Sequence, residues 1–342
     1  MLISVYVPFA VTAVLTLLAP RLARRLTPRP AAWALACAAL VTAIGWTGSL
    51  ALLAFTGIAQ IPEVAAEGHW SVTALRAEDP VYLVVAVVST WVLAASVVSL
   101  GVAALRQVRQ VVRTRRECAG LRGGTELAVL DDEAPLAFAL PGRPGRIVVS
   151  RGMLRCLGDD EREALLAHER AHLRGRHHLF LSLWRLTAAL NPLLRPLAGT
   201  GAFVLERWAD EEAAAQLGDR SVVARAVGHA ALATAGAPRP ALAVTGGEVP
   251  QRVRALLAPP PARRSLPFLA GALLLTVCCA SLANAASDSD RMVDSAKRAQ
   301  CAALMDTASA SPVAGPRHAP GFCCPHHGER GEHGEHRRDS TG

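Results

Sequence analysis

Residues 168–172 read His-Glu-Arg-Ala-His. On a helix of 3.6 residues per turn, His168 and His172 project from one face, where both imidazoles can hold one metal ion at Zn–N distances of about 2.0 Å. Glu169 sits beside them, placed to take a proton from a water that the ion has acidified, as peptide-bond hydrolysis at neutral pH requires. A hydrolytic zinc site needs a third protein ligand and an open fourth position. Glu206 can supply that ligand from a second helical stretch that ends at Gly218, and Asp210 lies on the same face one turn later. Asp210 is read as the carboxylate that accepts the free ring N–H of a ligating histidine and fixes its tautomer. Taken singly, each pair could be the solvated face of an Ala-rich helix; the two helices together point to a site for one Zn2+ per chain.

The elements that must position these residues are mostly helical. Asp160, with Glu163 three residues on, has the pattern of a capping box and predicts a helix start just ahead of His168. The chain has 342 residues, 51% of them hydrophobic and 19% charged, with a mean hydropathy of +0.29, which excludes an ordinary soluble globule. Four uncharged apolar runs, Leu2 to Ala19, Ala31 to Ile58, Val81 to Leu105 and Leu266 to Ala286, are long enough to cross a hydrocarbon core as helices. Arg21, Arg24, Arg25 and Arg29 follow the first run, Arg106 to Arg116 follow the third, and Arg263 and Arg264 precede the fourth. The loop between the second and third carries Glu63, Glu67, Glu78 and Asp79.

Positive charge stays on the cytoplasmic side. The expected organisation is therefore three spans in 1–105, a cytoplasmic peptidase domain in 106–264, a fourth span in 265–286 and an external tail in 287–342, with the amino terminus outside. Basic residues follow the first run instead of preceding it, so it reads as a retained span and not a cleaved signal. Ala283-Asn284-Ala285 resembles a signal-peptidase site, and retention of the tail is the expectation. The net charge of +8 sits largely on Arg residues that flank the spans, so the lipid bilayer is the expected partner and no direct nucleic-acid binding is expected. The apolar run from Leu179 to Leu190 contains Arg185, is too short to span, and reads as a buried or interfacial helix ended by Asn191-Pro192.

His-Glu-Arg-Ala-His followed by Glu-Arg-Trp-Ala-Asp resembles the HExxH and ExxAD pair of gluzincin metallopeptidases, and more closely the BlaR/MecR-type bacterial membrane peptidases. The segment from Ala134 to Leu154 is similar to the β-hairpin and edge strand ahead of the zinc helix in that family, and the β-branched Ile147, Val148 and Val149 support a strand independently. The implied fold is a multi-pass α-helical membrane protein of four spans, with a cytoplasmic, mainly α gluzincin-type domain carrying a small β-hairpin. The implied activity is zinc-dependent endopeptidase cleavage of protein or peptide substrates, in signalling by cleavage of the chain itself and of a cytoplasmic BlaI-type transcriptional repressor. In that arrangement the 147–149 strand would pair with extended substrate. The only tyrosines, Tyr6 and Tyr82, fall in spans, which leaves His177, His178 and His229 as candidates for oxyanion or orienting roles.

The sequence departs from that family's antibiotic sensors. Lys297 is the only lysine and Asp294 stands three residues before it, so no Ser-x-x-Lys nucleophile motif exists and covalent β-lactam sensing is excluded. The tail carries Cys323, Cys324, His326 and His327, with Cys301, His318, His333 and His336 nearby, types that bind zinc or copper. Their spacing matches no structural-zinc pattern, so a disordered tail is the expectation and a tail metal site the alternative. Two other functions share the chain: housekeeping proteolysis of membrane proteins through the same site, and a non-catalytic metal sensor or scaffold built on the tail.

Overall fold

The computed structural model describes residues 4–23, 26–78, 83–119, 126–142, 144–235, 248–259 and 266–309. A short 3-10 turn, Ser4–Tyr6, leads into α1 (Val7–Ala23), followed by α2 (Pro28–Ile58), α3 (Pro62–Gly68), α4 (Val72–Glu78) and α5 (Leu83–Ala119). Three strands come next, β1 (Leu127–Leu130), β2 (Ala137–Leu140) and β3 (Arg146–Ser150). The remaining helices are α6 (Arg151–Arg155), α7 (Asp159–Arg174), α8 (His177–Leu190), α9 (Arg195–Leu217), α10 (Arg220–Ala235), α11 (Glu248–Leu257) and α12 (Leu266–Ser309). Among the described residues four helices are long and apolar enough to cross a membrane: α1 with its leading turn, α2, α5 and α12.

Two of the four outrun their apolar stretches. α5 continues through its basic segment to Ala119, and α12 continues to Ser309. A disordered tail is expected from residue 287, but 287–309 remains helical. Met292 and Ala296 bury against Ala59 and Leu75, and Ser71 N–H donates to Ala296 C=O, so the extension packs on the α3–α4 connection. Cys301, in this extension, is disulfide-bonded. Cys323, Cys324, His326 and His327 lie outside the described residues.

The sheet order is β1-β3-β2, with β1 parallel and β2 antiparallel to β3. This corrects the expectation for Ile147, Val148 and Val149. Their strand is the central one, paired on both sides and fully buried, so it has no open edge to offer a substrate. The expected β-hairpin is present as β2–β3; β1, four residues long, adds a neighbour that closes the far side. The start of α7 is also corrected. Gly158 is its N-cap, and Glu161, not Glu163, reaches back to accept from Gly158 N–H at 3.1 Å.

A single apolar cluster joins α1, α2, α8 and α9. Ala19 and Ala23, the alanine ladder from Ala31 to Ala43, then Phe180, Trp184 and Ala188, and Leu194, Leu197, Val204, Leu205 and Trp208 are all buried in it. Small residues on α2 let α8 and α9 approach closely. Gly201 on α9 is one such position: a Cβ there would meet the Trp184 ring at 2.7 Å, and Trp184 is 1% exposed. Overpacking costs about 1–3 kcal/mol, against a helix-propensity gain of about 0.5–1 kcal/mol for Gly to Ala. Gly201→Ala is therefore expected to lower stability, read as an earlier thermal transition in detergent; an unchanged or raised transition would show that Trp184 can yield.

Candidate active site

α7 carries His168, Glu169 and His172, and α9, packed across it, carries Glu206 and Asp210. Asp159, Asp160 and Glu161 in the first turn of α7 favour its amino-terminal end, and Gly218 at φ 74° stops α9 in a left-handed cap. The helical spacing turns the metal-binding atoms toward one point. His168 Nε2 and His172 Nε2 are 3.1 Å apart, and the two Glu206 oxygens lie 3.5 Å from His168 Nε2 and 3.5 Å from His172 Nε2. Donors around a tetrahedral zinc at about 2.0–2.1 Å stand roughly 3.3 Å from one another. The three residues, grouped within 4.8 Å, therefore fit a zinc ion in donor type and spacing.

Partners behind the donors orient them. His168 Nδ1 lies 3.0 Å from Asp210 Oδ1, and His172 Nδ1 lies 2.8 Å from His177 Nδ1. His177 is buried at the first position of α8 and stacks tilted on Trp208, so it backs His172 and is not among the residues that line the cavity. His229 pairs with Glu161, Nδ1 to Oε1 at 2.9 Å, at the start of α7. This hydrogen bond, opposed by burial, holds the Glu161 carboxyl below its ordinary value. His178 is exposed at the second position of α8. Of the three histidines considered for the oxyanion, none is among the residues that line the cavity beside the donors.

That cavity, about 330 Å³, is lined by Ala137 of β2, His168, Glu169, Glu206, Thr234 and Arg252, among others. Arg252, on α11, was not singled out by sequence. Its Nε and Nη2 donate to Asp210 Oδ2 and Oδ1 at 2.8 and 2.7 Å, and Nη1 is 3.0 Å from Glu206 Oε2. One of many arginines in a sequence without motif context carries no signal that it pairs with Asp210 and Glu206, its side chain only 13% exposed.

The electrostatics follow from these contacts. Burial works against the His168 cation, but Asp210 and Glu206 outweigh it and push the imidazole up to about 10. His172 is pulled down to about 4, chiefly by burial, with Glu206 opposing and His168 adding repulsion. Burial would raise both Glu206 and Asp210, yet His168 and Arg252 hold the Glu206 carboxyl, and Arg252 then His168 the Asp210 carboxyl, below the ordinary range. Burial raises Glu169, partly offset by the His168 charge and by the Ala139 N–H that bonds it. A carboxylate with raised proton affinity suits a general base.

The metal-free His168 carries a proton at pH 7 that a metal must displace. Its folded value lies above the unfolded 6.5, so its ion pairs stabilise the metal-free chain fully below pH 6.5, and that contribution is lost as pH rises through about 10. Zinc affinity is expected to run the other way, rising about tenfold per pH unit within that window. Calorimetry in buffers of different ionisation enthalpy should record about one proton released per zinc; no release would contradict the charged His168.

Residues 103–194 match the model of Peptidase family M48. The match includes His168, Glu169 and His172 and stops short of Glu206. The chain is 49% identical over 53 residues to the mitochondrial metalloendopeptidase OMA1 of Schizosaccharomyces pombe, 15% of each chain, and 32% identical over 95 residues to a protease HtpX homolog of Thermococcus sibiricus, 27% of this chain and 32% of that one. It thus spans less than a third of the length of these relatives. No solved structure matches. Together with the apolar helices, these M48 likenesses support a membrane metallopeptidase.

Proposed function

We propose that the chain is a membrane-bound zinc endopeptidase in which His168, His172 and Glu206 hold the metal and Glu169 is the general base. The convergence of three zinc-type donors on one point beside an open cavity carries this reading. Zinc, when bound, supplies a Lewis acid that acidifies water and polarises the scissile carbonyl. Glu169, on the cavity wall and held by Ala139 N–H, accepts the proton and delivers it to the leaving amine. Arg252, on the same wall, adds a fixed positive charge near the developing oxyanion.

Substrate alignment falls to β2 and not to β3. Ser150 N–H donates to Leu136 C=O, so in the antiparallel alternation Phe138 and Leu140 turn their backbone groups toward β3, and Ala137 and Ala139 turn theirs away. Ala139 N–H is engaged by Glu169, which leaves Ala137, on the cavity wall, to pair with an extended substrate backbone.

Asp210 orients His168, and Asp210→Asn is expected to weaken zinc binding about 10–100-fold, measured by competition with a chromogenic chelator; an unchanged affinity would remove Asp210 from the site. The peptidase side is cytoplasmic by the arginine pattern, and the disulfide at Cys301 in the α12 extension fits an oxidising compartment on the opposite side.

The regulatory role, cleavage of this chain and of a BlaI-type repressor, rests on the BlaR/MecR resemblance. Co-expression with such a repressor in membranes, with and without a zinc chelator, tests both levels. Chelator-sensitive fragments of one or two proteins support regulation, and fragments of many favour housekeeping. Zinc-loaded protein that cuts nothing would favour the scaffold reading.

A further inference from the structure

The two helices that link the zinc motifs extend far along the membrane spans. α8 leaves the site at His177, and Ser182, little more than one turn along, accepts from the Gln107 side-chain amide where the apolar part of α5 gives way to its arginines. Phe180 stacks edge-on against Trp33, near the start of α2, with ring centroids 4.9 Å apart. The connection beyond α8 then reaches Thr16, whose hydroxyl donates to Leu193 C=O at 3.1 Å. Thr16 lies seven residues before Ala23, the last residue of α1, and at 1.5 Å per residue that is about 10 Å inside the end of the span. α9 runs back from this depth, and Arg207 Nη1 donates to Ala23 C=O at 3.0 Å. The hairpin is thus registered against the spans at three levels, and its turn sits beside the middle of α1.

Its surroundings match that depth. Leu197 helps line a cavity of about 230 Å³ among α1, α2, α9 and α12 whose walls carry only apolar side chains, Ala19, Leu22 and Leu35 among them. Outside, Leu179 and Leu193 are 53% and 46% exposed. Thr187 and Thr200 return their hydroxyls to backbone carbonyls and Asn191 Oδ1 accepts from Leu193 N–H, while the Asn191 amide nitrogen and Trp184 Nε1 are buried without a partner among the described residues.

We infer that α8, the turn at 191–194 and the first half of α9 form a re-entrant wedge immersed in the bilayer leaflet on the catalytic side, with lipid acyl chains as the partner of its exposed face. The inference rests on reading the chain as a membrane protein. Arg185 and Arg195, both exposed, would set how far the wedge goes: with their stems along apolar surface and their guanidinium groups reaching back to the headgroups, it would enter one leaflet and not cross. Because His177 begins α8 and backs His172, the wedge holds the zinc-binding helix at the membrane surface.

Depth-dependent quenching tests this on the full-length, zinc-loaded chain in phospholipid vesicles. A fluorescent amino acid is placed singly at Leu193, at Pro196 on the same turn, at Val98 on the exposed face of α5, and at Glu163 on the exposed face of α7, and lipids brominated on the acyl chains are titrated in. Quenching at Leu193 and Pro196 should be comparable with that at Val98 and several-fold greater than at Glu163. Quenching at both turn positions as weak as at Glu163, with Val98 quenched, overturns the wedge and leaves the spans intact. Escape of Val98 itself would remove the spans, and the wedge with them.

Discussion

Glu169→Gln should lower peptide-bond hydrolysis by about 10²–10⁴-fold, the usual contribution of a positioned general base, while zinc content and thermal stability stay at wild-type levels. Gln is isosteric with Glu and can still accept the Ala139 N–H that the carboxylate accepts, so the helix and the strand beside it lose no contact. It cannot take a proton. Glu169 is buried and uses none of the donor atoms that converge at the metal position, which separates this variant from His168→Ala or Glu206→Ala, where metal and activity go together. Turnover on a peptide library, read beside metal content by atomic absorption, decides it. Activity within a few-fold of wild type would move the base elsewhere and favour a scaffold role.

The second large effect concerns Arg252. Asp210 is 1% exposed, and Arg252 grips it with two hydrogen bonds while touching Glu206. Removing one member of a buried pair strands the other charge, at about 3–5 kcal/mol. Arg252→Leu should therefore destabilise the metal-free chain by about that much. Zinc places positive charge beside Glu206 and His168, so the loss should shrink in the zinc-loaded protein. Arg252→Lys should fall between, since an ammonium keeps the charge without the fork.

The pH dependence gives a second readout of the same contacts. Glu206 and Asp210 are both held below their unfolded values of 4.5 and 3.8, so their contribution is present above those values and lost as pH falls. Arg252→Leu should flatten that acid limb. A variant whose unfolding lies within about 0.5 kcal/mol of wild type, as for a surface substitution, would show that Arg252 does not hold this site.

Much of the site was legible because it is written in local spacing. The four-residue interval of His168 and His172 fixes a shared helix face whatever the helix packs against, and the same holds for Glu206 and Asp210. Apolar runs without charge declare spans just as directly, since only a helix satisfies its own backbone in lipid. The pairing of Arg252 with Asp210 and Glu206 is different, because an arginine's partners come from elements far away in the chain. The strand 146–150 shows the same limit. Its β-branched residues establish that it is a strand, but its place in the sheet depends on whether β1 pairs with it, and nothing local to Ile147, Val148 and Val149 encodes that.

For this protein the sequence alone determined the shared helix face of His168 and His172 with Glu169 beside it, that of Glu206 and Asp210, and the four apolar helices, all properties of periodicity and composition within single elements. The tertiary structure alone decided that the donors from α7 and α9 meet at zinc spacing, that Arg252 pairs with Asp210 and Glu206, that β2 is the strand facing the cavity, and that the turn between α8 and α9 stands beside Thr16. Those are outcomes of packing between residues distant in the chain, where shape and charge from several elements must be satisfied together.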